Sequence, residues 1–190
     1  MHLRNLAAAL LLIAAGSAAQ AASLALVPSA NPVVEDSTFT VNLVLNAADA
    51  PGIHPGLHSG AIRVDFNSTL LTYNSFTLAN GLIFFSPPAV TTNGTAQTVT
   101  LGFQNAPDAG TVGTFSFTAT GPAGSLATLG LVDADDLFGS FVNKAVSDQP
   151  YVPTFTGTQV SISPVPLPAG IWLLGTAVGA LAARRRLKPR

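Results

Sequence analysis

Apolar and polar residues alternate with a period of two through the middle of this chain, and that alternation limits the fold more than any other feature. Phe39, Val41, Leu43 and Leu45 alternate with Thr38, Thr40, Asn42 and Val44. Ile62, Val64 and Phe66 flank Arg63 and Asp65, and Val99, Leu101 and Phe103 interleave with Thr98, Thr100, Gly102 and Gln104. Phe115, Phe117 and Ala119 alternate with Ser116 and Thr118. Successive side chains of a strand point to opposite faces, so each segment reads as a strand with one dry and one wet face. Less regular strands are expected at Leu24–Val27, Leu70–Thr77, Leu82–Phe85, Leu126–Val132 and Phe155–Ile162. Ala50-Pro51-Gly52, Ala106-Pro107-Asp108-Ala109-Gly110 and Gly121-Pro122-Ala123-Gly124 separate them as turns. No stretch between Ser23 and Ser163 carries a long amphipathic stripe; Asp135–Phe138 has room for one short helical turn. Many short strands with regular turn signals predict an all-β jelly-roll β-sandwich.

The two ends read differently, and divide the chain into segments 1–21, 22–163 and 164–190. Met1-His2-Leu3-Arg4 is basic, Leu6 to Ala15 is apolar but too short to span a bilayer, and Ala19-Gln20-Ala21 places small residues two apart. That is the layout of a secretory signal peptide, a short helix cut after Ala21, with Ala19 and Ala21 as the small residues that the peptidase reads. At the other end Val165-Pro166-Leu167-Pro168-Ala169 precedes an uncharged run, 170–183, and then the basic tail 184–190. Pro166 and Pro168 fix φ and bias the residues before them toward extended geometry, the shape that a protease cleft accepts. A transmembrane helix needs roughly 20 apolar residues. The run reaches that length only if counted from Val165, so it is a marginal anchor. Arg184, Arg185 and Arg186 stay cytoplasmic by the positive-inside rule, which puts everything before Val165 outside.

Removing the ends changes the charge balance. Five of the eight Lys and Arg residues lie beyond Ala183 and one more is Arg4, leaving Arg63 and Lys144 against all nine acidic residues, a net charge of −7. Such a domain lacks the basic patch that nucleic acid or anionic lipid requires. Cysteine is absent, which excludes disulfides, thiolate nucleophiles and thiolate metal sites.

The motif, span and Arg cluster from Val165 to about Lys188 resemble the PEP-CTERM bacterial sorting signals, in the variant that reads Val-Pro-Leu-Pro-Ala. The resemblance implies an exosortase, a membrane cysteine transpeptidase, as processing enzyme. It also implies a Gram-negative host that makes an extracellular polysaccharide or biofilm matrix. The middle resembles cohesin-like domains, jelly-roll sandwiches related to carbohydrate-binding modules. Val41-Asn42-Leu43-Val44-Leu45 and Ala61-Ile62-Arg63-Val64-Asp65-Phe66-Asn67-Ser68-Thr69-Leu70-Leu71 carry it, with Phe115–Ala119 and Thr158–Ile162. The second block is the most telling: a strand ending in an aromatic, a polar turn, then paired leucines. The family usually has Asp-Pro in that turn, where this chain has Asn67-Ser68.

Candidate chemistry is sparse. His54 and His58 are four apart, the spacing of a zinc pair on a helix, but Pro55 and Gly56 forbid a regular helix between them. Both are expected to be solvated loop residues. Asp133, Asp135 and Asp136 could offer oxygen ligands to calcium, yet the glycine and terminal glutamate of an EF-hand loop are missing, and a solvated acidic turn is expected. No nucleophile, base and acid can be assembled, and there is no Gly-x-Ser-x-Gly elbow. The expectation is an exported, non-enzymatic surface or matrix protein without cofactor, catalytic residue or metal site. It would be held transiently in the inner membrane through its C-terminal helix, then delivered to the cell surface or beyond. Alternatives are a polysaccharide-binding module and a cohesin-type module for a protein ligand. The domain has no tryptophan and only Tyr73 and Tyr151, and most phenylalanines fall on the expected core faces, which leaves little for stacking on sugar rings.

Overall fold

The computed structural model describes residues 22–48, 56–134, 141–144 and 149–166. In chain order the strands are β1 (Ser23–Pro28), β2 (Val33–Val34), β3 (Thr38–Asn46), β4 (His58–Asn67), β5 (Leu71–Leu78), β6 (Ile83–Asn93) and β7 (Ala96–Ala106). They continue as β8 (Ala109–Ala119), β9 (Leu126–Asp133), β10 (Phe141–Asn143), β11 (Gln149–Tyr151), β12 (Thr154–Thr156) and β13 (Thr158–Ser163). One sheet has five strands in the order β12-β1-β3-β8-β5. The other runs β11-β10-β4-β9-β13-β2, with β7 on the free side of β4 and β6 outside β7.

The alternation predicts the inner faces. Val41, Leu43, Leu45, Phe115 and Phe117 from the first sheet meet Ile62, Val64, Leu101, Phe103 and Leu129 from the second in one buried cluster. Fully burying a side chain of this size is worth about 1.5–3 kcal/mol. Phe66, Phe115 and Tyr73 all lie within 5.3–6.0 Å of the Phe117 ring, centroid to centroid, so aromatic packing ties the sheets together. Where β4 begins, the Phe141 ring of β10 lies against Gly60 and leaves no room for a Cβ there.

The polar turn of the quoted resemblance also forms. Asn67 Oδ1 accepts from Thr69 N at 2.9 Å and from Thr69 Oγ1 at 2.8 Å, a side chain closing its own turn. Leu71, which follows it, is fully buried. The expected segment Phe155–Ile162 splits at Gly157 into β12 in one sheet and β13 in the other. Gly157 lies against the Leu129 carbonyl, so the chain crosses between sheets where only a glycine passes.

Two expectations are corrected. His58 is not a solvated loop residue: it is fully buried and opens β4, because β7 pairs with it on one side and β10 on the other. β6 does not end at Phe85 but continues to Asn93. His54, Asp135, Asp136, residues 1–21 with Ala19 and Ala21, and residues 167–190 with Leu167, Pro168, Ala169, Arg184, Arg185 and Arg186 lie outside the described residues. Among the described residues no helix is long and apolar enough to cross a membrane, and the expected span 170–183 is not among them.

The chain enters and leaves the sandwich at opposite ends. Ala22 is buried beside Thr154, whose N–H donates to the Ala22 carbonyl at 2.7 Å. β13 runs the other way out, and its last residue, Ser163, pairs with Val34 of β2. We call these the entry and exit ends.

Candidate functional site

The outer face of β6, β7, β4 and β9 collects the most varied side chains on the described surface. Register fixes who meets whom. Asp65 is paired with Thr98 of β7 and Gly130 of β9, and Arg63 with Thr100 and Val132. Thr98 Oγ1 donates to Asp65 Oδ1 at 2.8 Å, and Arg63 Nε lies 3.4 Å from Asp65 Oδ2. Both charged side chains are close to half exposed, 45% and 44%, so the pair contributes at most about 1 kcal/mol to stability.

Because Gly130 carries no side chain, the surface next to Asp65 sinks into an open depression of about 420 Å³. Asp65, Asn67, Thr95, Ala96 and Thr128 line it with Gly130, toward the exit end. At the other end of the same face Phe85 lies over Gly102, where any Cβ would collide with its ring. The Phe85 side stays 44% exposed, and Ile83 beside it 48%. Val27, Val90, Leu126 and Val152 are exposed to a similar degree or more, so what marks this spot is that Ile83 and Phe85 stand together on one face. Sequence reasoning missed Phe85 because it placed most of the phenylalanines on core faces and singled out none as exposed. The neighbouring Phe84 does turn inward, 6.1 Å from Phe76.

A second polar cluster caps the entry end. His58 Nε2 lies 3.1 Å from Asp108 Oδ1 and 3.4 Å from Asn143 Nδ2. Asp108 Oδ1 also accepts from Gly56 N at 2.9 Å, so this carboxylate pins the residues leading into β4. The Tyr151 ring stands edge-on to His58 at 5.3 Å. Burial pushes the Tyr151 phenol well above its usual range and the Tyr73 phenol upward in the same direction. His58 and Asp108 have the elements of a catalytic dyad, yet no nucleophile is hydrogen-bonded to the imidazole: its remaining nitrogen, Nδ1, is buried without a hydrogen-bond partner.

The remaining expected site residues are scattered. Asp133 ends β9, paired with Ile62, far along the strand from the depression. No group of three or more metal-ligating side chains occurs among the described residues. Val165 and Pro166 follow β13, exposed and outside any strand.

Solved structures of other proteins share the fold of this sandwich. A cohesin module of a Clostridium perfringens family 33 glycoside hydrolase matches with a TM-score of 0.54 at 12% identity, over 76% of this chain and 97% of that one. A type I cohesin from Pseudobacteroides cellulosolvens matches with a TM-score of 0.52 at 13% identity, over 77% and 96%. The sandwich is cohesin-like. A type I cohesin from Clostridium thermocellum, solved in a cohesin–dockerin complex, gives the same cohesin-like overlap: a TM-score of 0.53 at 10% identity, over 74% and 99%. No protein-family profile matches the chain. No curated protein matches it either. At 10–13% identity the likeness is one of fold alone.

Proposed function

We propose that this chain is an exported, non-enzymatic module that binds a protein ligand through the outer face of β6, β7, β4 and β9. The observation that carries the reading is Phe85: an aromatic ring seated over Gly102 and left exposed, on the same face as Arg63 and Asp65. An apolar anchor beside paired charges is the composition of a binding hot spot with its polar surround. The cohesin solved with a dockerin supports a protein as the ligand class. In this reading the sequence ends handle delivery. The signal peptide exports the sandwich, the PEP-CTERM-like tail holds it in the inner membrane of a Gram-negative cell, and an exosortase cuts at Val165–Ala169. The product then works at the surface, in a biofilm matrix.

The test is affinity capture from the host's surface fraction with the full chain as bait. A partner retained by the natural chain should be lost from the double variant Phe85→Ala, Arg63→Glu, with at least a tenfold drop in recovery. Equal recovery on both baits would remove the face from the reading.

A further inference from the structure

The opposite face of the sandwich differs from this one in kind. None of the five strands β12, β1, β3, β8 and β5 contains a charged residue. Their outward positions fall into rows across β3, β8 and β5. Asn42, Thr114 and Thr77 form one row, Thr40, Ser116 and Ser75 the next, and Thr38, Thr118 and Thr72 the third. A register shift between Tyr73 and Ser75 adds Asn74, which projects onto the same surface. Every one of these side chains is a hydroxyl or an amide and none is aromatic, while Val44 of β3 and, beside Asn42, the exposed Val27 of β1 border them with aliphatic groups.

The rows are tied together. Thr114 Oγ1 donates to Asn42 Oδ1 at 2.9 Å, Asn74 Nδ2 donates to Thr118 Oγ1 at 3.1 Å, and the Thr38 and Thr118 hydroxyls are 3.3 Å apart. These contacts fix rotamers before anything binds, which lowers the entropic cost of binding. A hydroxyl has one donor and two acceptor sites, so a side chain that uses one or two of them sideways still has capacity facing outward. The spacing is about 4.8 Å between strands and roughly 6.7 Å along them.

We propose that this face is a binding surface for a neutral polysaccharide. A ligand matched to it must be uncharged, must both donate and accept hydrogen bonds, and must repeat over several rows. A polyhydroxylated chain meets all three conditions. An acidic or basic protein surface would leave its charges facing neutral groups, desolvated and unpaired. Without an aromatic platform each subsite is weak, so the ligand is a polymer engaging many rows and not a free sugar. Sheet twist rotates neighbouring strands by roughly 20–25°, which suits a flexible chain and disfavours a flat crystalline lattice. The inference stands independently of the protein-binding reading, since it uses the other sheet.

Affinity electrophoresis tests it, with the full chain in mild detergent and gels containing dextran, amylose or mixed-linkage β-glucan, and alginate as the anionic contrast. At least one neutral polymer should retard the chain, and alginate should not. Ser116→Glu, a charge at the centre of the rows, should reduce that retardation at least fivefold. Asn74→Ala, at an exposed bulge where folding is not at stake, should weaken it about twofold, and Arg63→Ala on the other face should leave it unchanged. Retardation by none of the three neutral polymers overturns the proposal, as does full retardation of Ser116→Glu. If Ser116→Glu instead dissociates a dimer in sedimentation velocity, the face joins copies of this chain and the polysaccharide reading falls.

Discussion

Tyr151 shows how one atom sets a measurable property. Its ring packs edge-on against His58 and Phe141, at 5.3 and 5.8 Å, and only 9% of the residue is exposed. The hydroxyl is buried and has no hydrogen-bond partner. A buried, unpaired hydroxyl costs about 1–3 kcal/mol, so Tyr151→Phe should leave stability at neutral pH unchanged or raise it by about 1 kcal/mol. The same burial raises the phenol's pKa in the folded state. An unfolded phenol ionises near pH 10, whereas the folded one keeps its proton to a higher pH. Between those points the folded state binds more protons, so the contribution is intact below about pH 10 and is lost as pH rises toward the folded value. Denaturant melts should show a shallower alkaline loss in Tyr151→Phe than in the natural chain. Identical alkaline limbs, or a clear destabilisation at neutral pH, would show that the hydroxyl is paired.

β6 is the element that most needs explaining. It is an edge strand of eleven residues, and among the described residues none pairs with its outer side. Long open edges invite pairing with another chain. Pro87 and Pro88 stand in its middle, without N–H groups to offer, and the register slips on both sides of Ser86. Replacing both prolines by Thr should add concentration-dependent association in sedimentation velocity beyond that of the natural chain; a variant that sediments as the natural chain does would show that the edge is protected by something else. The same strand explains where sequence reading stopped. β3 and β8 were legible because each has one dry face, which writes an alternation into the sequence; β7 alternates in sequence as well, although Thr100 and Gly102 on its expected wet face are buried. β6 past Phe85 is wet on nearly every side chain, so it leaves no such pattern. The start of β4 fails in the opposite sense: His58, Ser59, Gly60 and Ala61 are all buried. For the candidate site, the outward parity of Arg63 and Asp65 was readable. That Thr98 and Gly130 flank Asp65, and that Phe85 covers Gly102, depends on strand order, which no local pattern contains.

At the scale of the molecule, the two faces are separated in chemistry and the two ends in space. Arg63, Asp65 and Phe85 occupy one sheet and the neutral rows the other, so two ligands of different class need not compete for the sandwich. Delivery is checked on the same scale. The intact mass of the protein recovered from the native cell surface should correspond to a chain that starts at Ala22 and ends within Val165–Ala169. A C-terminus still at Arg190 would reduce the tail to a plain anchor, and Pro166→Ala with Pro168→Ala should leave the uncut form in the membrane. The exit through β13 has a mechanical consequence. β13 is held by β9 on one side and by β2 on the other, with the Asn31 amide adding bonds to Gln159 O at 3.0 Å and Ser161 N at 2.9 Å. Tension on whatever follows Ser163 acts along that strand, across the direction of its hydrogen bonds. The bonds on both flanks are sheared together and do not peel one after another, so a load arriving from the exit side meets the sandwich in its stiffest direction.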